Sequence, residues 1–119
     1  MESTSPEPLP LVDIDAALPR FYFDRQFFID MFGEFISILP TQISDLKAAI
    51  QKEDIEGLAH LAHDLKGSAA NFSANTLRAL ALELEQAGKA NNLEEAQSLI
   101  AQMDEQVARL SEYLEKLRG

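Results

Sequence analysis

From Asp24 onward the apolar residues Phe28, Phe32, Phe35, Leu39, Ile43, Leu46 and Ile50 recur every third or fourth position, the repeat of one buried helical stripe. The spacing predicts a long helix. Pro40 lies inside it and removes a backbone hydrogen bond, yet the stripe keeps its phase across the proline, so a kink is expected in place of a break and restart at Thr41. A third-or-fourth-position stripe returns after Asp54, a residue type suited to capping a helix N-terminus, with Ile55, Leu58, Ala59, Ala62, Leu65 and Ala69 facing inward. It returns again from about Ala74 to Ala87 through Leu77, Leu80, Ala81, Leu84 and Ala87, with Gly88 placed as a C-terminal stop. A tight turn around Asn71 to Ser73 would join these two helices antiparallel.

Asn92 with Glu95 three residues on forms an approximate capping box for a last helix. Leu93, Ala96, Ile100, Met103, Val107, Leu110, Leu114 and Leu117 then alternate steps of three and four, the seam of left-handed helix packing. An intermolecular coiled coil would use such a seam, but three other amphipathic helices in the chain can cover it. The predicted fold is therefore all-α, an antiparallel up-and-down four-helix bundle with a short extra N-terminal helix. That short helix is expected from about Asp13 to Leu18, ended by Pro19, with Phe21 and Phe23 pinning the connection onto the core. Residues 1–10 carry three prolines and no apolar period, and read as a disordered lead; residues 11–119 form the predicted domain.

Composition narrows the function. Ten basic against twenty acidic residues leave a net charge of −10, which disfavours nucleic acid and anionic membrane surfaces as partners. There is no cysteine, hence no disulfide framework and no thiolate metal site, in keeping with a reducing cytoplasm. No apolar run approaches the roughly 20 residues that span a bilayer, and the N-terminus lacks the pattern of a signal peptide. A cytoplasmic location is expected.

Chemistry concentrates in Ala62-His63-Asp64-Leu65-Lys66-Gly67-Ser68-Ala69. His63 lies roughly 110° from the centre of the apolar face of its helix, with Gly67 and His60 further round on the same flank. It is a boundary residue, supported by the core and open on one side. Positions four apart are neighbours, so Gly67 leaves bare backbone one turn beyond the imidazole. A glycine inside a helix costs roughly 0.8–1 kcal/mol relative to alanine, and the close approach of another molecule would explain it. Imidazoles ordinarily titrate near about pH 6.5, so a neutral ring with an exposed lone pair is available to accept a phosphoryl group. Lys66, at i+3, can lay its ammonium beside the added oxygens, and Ser68 is a further polar neighbour at a less favourable angle. The chain has no glycine-rich phosphate loop, no Walker lysine and no acidic cluster at metal spacing, so a partner would have to supply the metal and the other charge stabilisers.

The words His-x-Leu-Lys-Gly-Ser, with Phe72 following, resemble the histidine-containing phosphotransfer (HPt) domains of multistep two-component signalling, over roughly residues 13 to 117. The resemblance implies a phosphorelay intermediate that is not itself a kinase or phosphatase. It would accept a phosphoryl group from a receiver-domain aspartate and pass it to the receiver of a response regulator. It implies His63 as the phosphorylated residue, Lys66 as the nearby cation and Gly67 as the small residue that clears the docking surface; His60 could touch the partner. It also implies receiver domains of a hybrid sensor kinase and a response regulator as partners, a monomeric state, and no cofactor of its own, Mg²⁺ residing on the receiver. The family often has glycine where this chain has Ser73, read here as a helix N-cap. Three other readings compete. His63-Asp64 is an HD dipeptide of the kind metal-dependent phosphohydrolases use, but adjacent residues lie about 100° apart on a helix and two histidines leave few further ligands. A sensor-kinase dimerisation hairpin also begins its box with His, acid, Leu and base, but continues with Thr/Asn-Pro where Gly67-Ser68 stand. A helical adaptor without phosphotransfer is the third.

Overall fold

The computed structural model describes residues 11–119, so the expected disordered lead lies outside the described residues. Within them the chain forms α1 (Ile14–Ala17), a 3-10 turn (Leu18–Phe21), α2 (Arg25–Gln51), α3 (Ile55–Asn71), α4 (Asn75–Lys89) and α5 (Leu93–Arg118). The four long helices pack in a ring, α3 against α4, α4 against α5, α5 against α2 and α2 against α3. This is the predicted up-and-down bundle. The stripes read from the sequence are its core: Phe28, Phe32, Leu39 and Leu46 of α2 meet Leu58 and Leu65 of α3, Leu77 and Leu84 of α4, and Met103 and Leu110 of α5, all essentially buried. No helix among the described residues is long and apolar enough to cross a membrane.

Three consecutive helix ends are built alike. Glu53, Ser73 and Asn91 each take a left-handed conformation (φ 54°, 52° and 56°) directly after the C-caps of α2, α3 and α4. Their N–H groups donate to Ile50, Ala70 and Gly88, while those of the next residues donate to Ala49, Ala69 and Ala87, the paired bonds of a Schellman ending. The residue after each left-handed position is already the N-cap of the following helix, so each reversal is as short as it can be. Asp54 and Asn92 cap with their side chains, accepting from the N–H of Gly57 and Glu95; Ala74 makes no side-chain cap bond.

Several local expectations change. The first helix does end before Pro19, at Ala17 with Leu18 as its C-cap, but the chain winds on as a 3-10 segment to Phe21, in whose first turn the missing proline N–H is harmless. Phe21 is buried and stacks on Phe72 at 5.2 Å, but Phe23 is 75% exposed, because both Tyr22 and Phe23 are left-handed and turn outward. As expected, α2 does not break and restart at Thr41 but runs on through Pro40. Gly88 is not a stop but a packing residue within α4, whose last residue is Lys89. Ser73 is not a helix N-cap; it occupies the left-handed position, buried, where its hydroxyl accepts from Arg20 at 2.7 Å. Arg20 also donates to the carbonyls of Ala70 and Asn71, tying the 3-10 turn to the end of α3.

Candidate functional site

α4 passes close to α3 at Gly88: a Cβ built there would lie in van der Waals contact, 3.4 Å from Leu58 Cδ2 and 3.6 Å from the backbone nitrogen of Ala59. That close approach carries Glu85, one turn earlier on α4, to the flank of α3 that bears His63 and Lys66. Glu85 is the one acidic residue buried in the bundle among the described residues, its side chain 9% exposed. Its carboxylate has three partners: Lys66 Nζ at 2.9 Å on Oε1, and both His63 Nδ1 at 3.2 Å and Lys89 Nζ at 3.3 Å on Oε2.

The electrostatics of this cluster follow from those contacts. Hydrogen bonding from the Lys66 ammonium outweighs the cost of burial and, with Lys89, holds the Glu85 carboxyl down to about 2. Ionised carboxylates only accept hydrogen bonds, so the proton between Glu85 and His63 belongs to Nδ1 of the ring. In the neutral form of the ring, Nε2 is the nitrogen that carries the lone pair. The His63 side chain is 61% exposed, and the space beyond it is clear, since a Cβ added at Gly67 would meet nothing within 4 Å. The arrangement is an imidazole whose Nδ1–H is held by Glu85, braced from the protein side and open from the solvent side.

The remaining sequence-predicted residues separate. His60 pairs with Asp64 at 3.4 Å through its own Nε2, on the exposed surface and away from Glu85. Asp64 thus serves His60, not His63. Ser68 lies about 140° round the helix from His63, on the flank toward α2, and does not join the cluster. Lys66 does join it, but as the partner of Glu85 and only 24% exposed, where the sequence suggested a free ammonium. Among the described residues, no three His, Cys, Asp or Glu side chains are grouped so as to hold a metal ion. Glu85 and Lys89 were missed. The available signal was spacing: four residues from Ala81 and three from Gly88 put Glu85 on the inward stripe of its helix.

Comparison with known proteins places this geometry in context. The model of the Hpt domain family matches residues 30–113. The crystal structure of histidine-containing phosphotransfer protein B (HptB) from Pseudomonas aeruginosa PAO1 superposes with a TM-score of 0.83 at 25% identity, over 93% of this chain and 96% of that one. The HPT domain of a sensor hybrid histidine kinase from Shewanella superposes with a TM-score of 0.72 at 17% identity, over 90% of this chain and 92% of that one. No curated protein sequence matches the chain.

Proposed function

The chain belongs to the Hpt domain family, whose role is histidine phosphotransfer in phosphorelays, and from that premise we propose that His63 is the phosphorylated residue and Nε2 its accepting atom. The observation that carries this reading is the bond from Nδ1 to buried Glu85, which orients the ring and leaves the lone pair facing solvent beside Gly67. When an aspartyl phosphate of a receiver domain meets that lone pair, the P–O bond breaks toward the aspartate, the Nε2–P bond forms, and the Nδ1 proton stays where it is. Onward transfer reverses these changes: the electron pair returns to Nε2 and neutral imidazole is the leaving group. No proton has to move within the domain in either direction. This suits a carrier used both to accept and to donate.

Hpt domains interact with receiver domains of hybrid kinases and response regulators. The open helix face around His63 fits such a partner, which brings its own aspartate and Mg²⁺ to a ring whose side chain is 61% exposed. The chain then acts as a monomeric carrier in the cytoplasm, without kinase or phosphatase activity of its own. The test is transfer from a receiver domain carrying labelled aspartyl phosphate, with products handled under alkaline conditions that preserve phosphohistidine. Label should reach the wild-type chain and His60→Gln, and should be absent from a folded His63→Gln variant. Label retained in His63→Gln and lost in His60→Gln would overturn the assignment.

A further inference from the structure

Two ammonium groups reach Glu85, and the structure distinguishes them. Lys66 sits on α3 beneath the ring, 24% exposed, with a 2.9 Å bond to Oε1. Lys89 comes from the last turn of α4, is 68% exposed, and makes a longer contact of 3.3 Å to Oε2, the oxygen that also accepts from His63 Nδ1. Lys66 is therefore largely enclosed, whereas Lys89 is an exposed cation resting on the oxygen that also meets the reacting ring. A lysine in the last turn of a helix is at ease there for electrostatic reasons alone. Lys89 forms an i,i+4 pair with Glu85 along the same helix, and what that pairing does not by itself require is the choice of Oε2, the oxygen shared with the ring.

Resting on the assignment of His63 as acceptor, we infer a division of labour: Lys66 is the permanent counter-ion of Glu85, and Lys89 is the cation that transfers to the phosphoryl oxygens when His63 is phosphorylated. Phosphorylation brings about 1.5 to 2 negative charges to a site whose charged groups are two ammoniums and one carboxylate. If Lys66 were the group to move, the buried carboxylate would lose its shortest bond and be left with an exposed, longer one, an unfavourable exchange for a desolvated charge. If Lys89 moves, Glu85 keeps Lys66 on Oε1, and Oε2 is released to the Nδ1 proton of the ring. Buried carboxylate and new phosphoryl group then each have one ammonium. Lys89 would touch the reacting atoms, and Lys66 would be a positioning residue acting through Glu85.

The experiment follows the lysine ammonium resonances of the ¹⁵N-labelled full chain before and after phosphorylation with potassium phosphoramidate. That donor's P–N bond breaks and ammonia leaves as Nε2–P forms. The Lys89 ammonium signal should move on phosphorylation while that of Lys66 stays near its starting position. Lys89→Gln should slow phosphorylation roughly ten- to a hundredfold, with Lys89→Arg recovering most of the rate; Lys66→Gln should lower the melting temperature more than Lys89→Gln does. Movement of the Lys66 signal with a static Lys89, or a wild-type rate in Lys89→Gln, would overturn the inference with His63 still phosphorylated. A missing phosphohistidine signal in the ³¹P spectrum would instead remove the acceptor assignment, and this inference with it.

Discussion

Replacing Gly67 separates folding from docking. The position is inside α3 with ordinary helical backbone, and a Cβ there would meet no atom within 4 Å, so alanine gains helix propensity without any packing penalty. The full difference between glycine and alanine, about 0.8–1 kcal/mol, should therefore appear as added stability. For a domain of this size that corresponds to a rise in melting temperature of about 3–5 °C. Gly88→Ala is the buried counterpart: its Cβ would sit in ordinary van der Waals contact with Leu58 at 3.4 Å, so alanine should fit there and stabilise the domain by at least a similar amount. Urea and thermal unfolding followed by circular dichroism measure both. Gly67→Gln should also stay folded, glutamine being a better helix former than glycine, but its side chain would stand on the face a receiver domain must approach. Transfer from a phosphorylated receiver should slow strongly while phosphorylation by the small donor phosphoramidate stays near the wild-type rate. A destabilised Gly67→Ala, or wild-type receiver transfer in a folded Gly67→Gln, would refute the reasoning that this glycine clears a docking surface.

Two further outcomes follow from the contacts. Because the Glu85 carboxyl is lowered from 4.5 to about 2, its contribution to stability is fully present above about pH 4.5 and is lost as the pH falls through about 2. With two of its partners exposed, the loss should be on the order of 1–2 kcal/mol, measured by urea unfolding at stepped pH, and should be absent in Glu85→Gln. Glu53→Gly should stabilise the domain by up to about 1 kcal/mol, because Glu53 is exposed at φ 54°, whereas Ser73→Gly relieves the same strain but loses the hydroxyl that holds Arg20, and should gain nothing; thermal melts of the two variants decide it.

Helix phase was legible in the sequence because burial on a helix is a local periodic property: the stripes of Phe28 to Ile50 and Leu93 to Leu117 line the bundle as spaced. Capping by Asp54 and Asn92 was legible for a similar reason, since a side chain three residues from an orphan N–H makes that bond wherever the helix lies. Features that depend on a neighbouring helix were not. Gly88 has the sequence character of a helix stop, and only the proximity of Leu58 makes it a packing residue. Ser73 resembles a cap, and only Arg20, more than 50 positions away in the chain, shows what its hydroxyl does. At the site, His63 and Gly67 could be singled out by spacing on one helix. Glu85 falls on the inward spacing of α4, but what it pairs with there depends on cations and a ring brought by tertiary structure, Lys66 and His63 of α3. The same tertiary contact changed Lys66 from an apparently free ammonium into a bound one.

Phosphotransfer through this chain turns on one atom, Nε2 of His63, and the position of the phosphoryl group on the ring tests that directly. The chain with ¹⁵N-labelled histidine, phosphorylated by a receiver domain or by phosphoramidate, distinguishes the two phosphohistidine isomers through their ring nitrogen shifts and their coupling to phosphorus. The geometry at Glu85 predicts a single species, phosphorylated at Nε2 of His63 with the proton retained on Nδ1, and an unmodified His60. Phosphorus bonded to Nδ1 of His63, or to either nitrogen of His60, would contradict it.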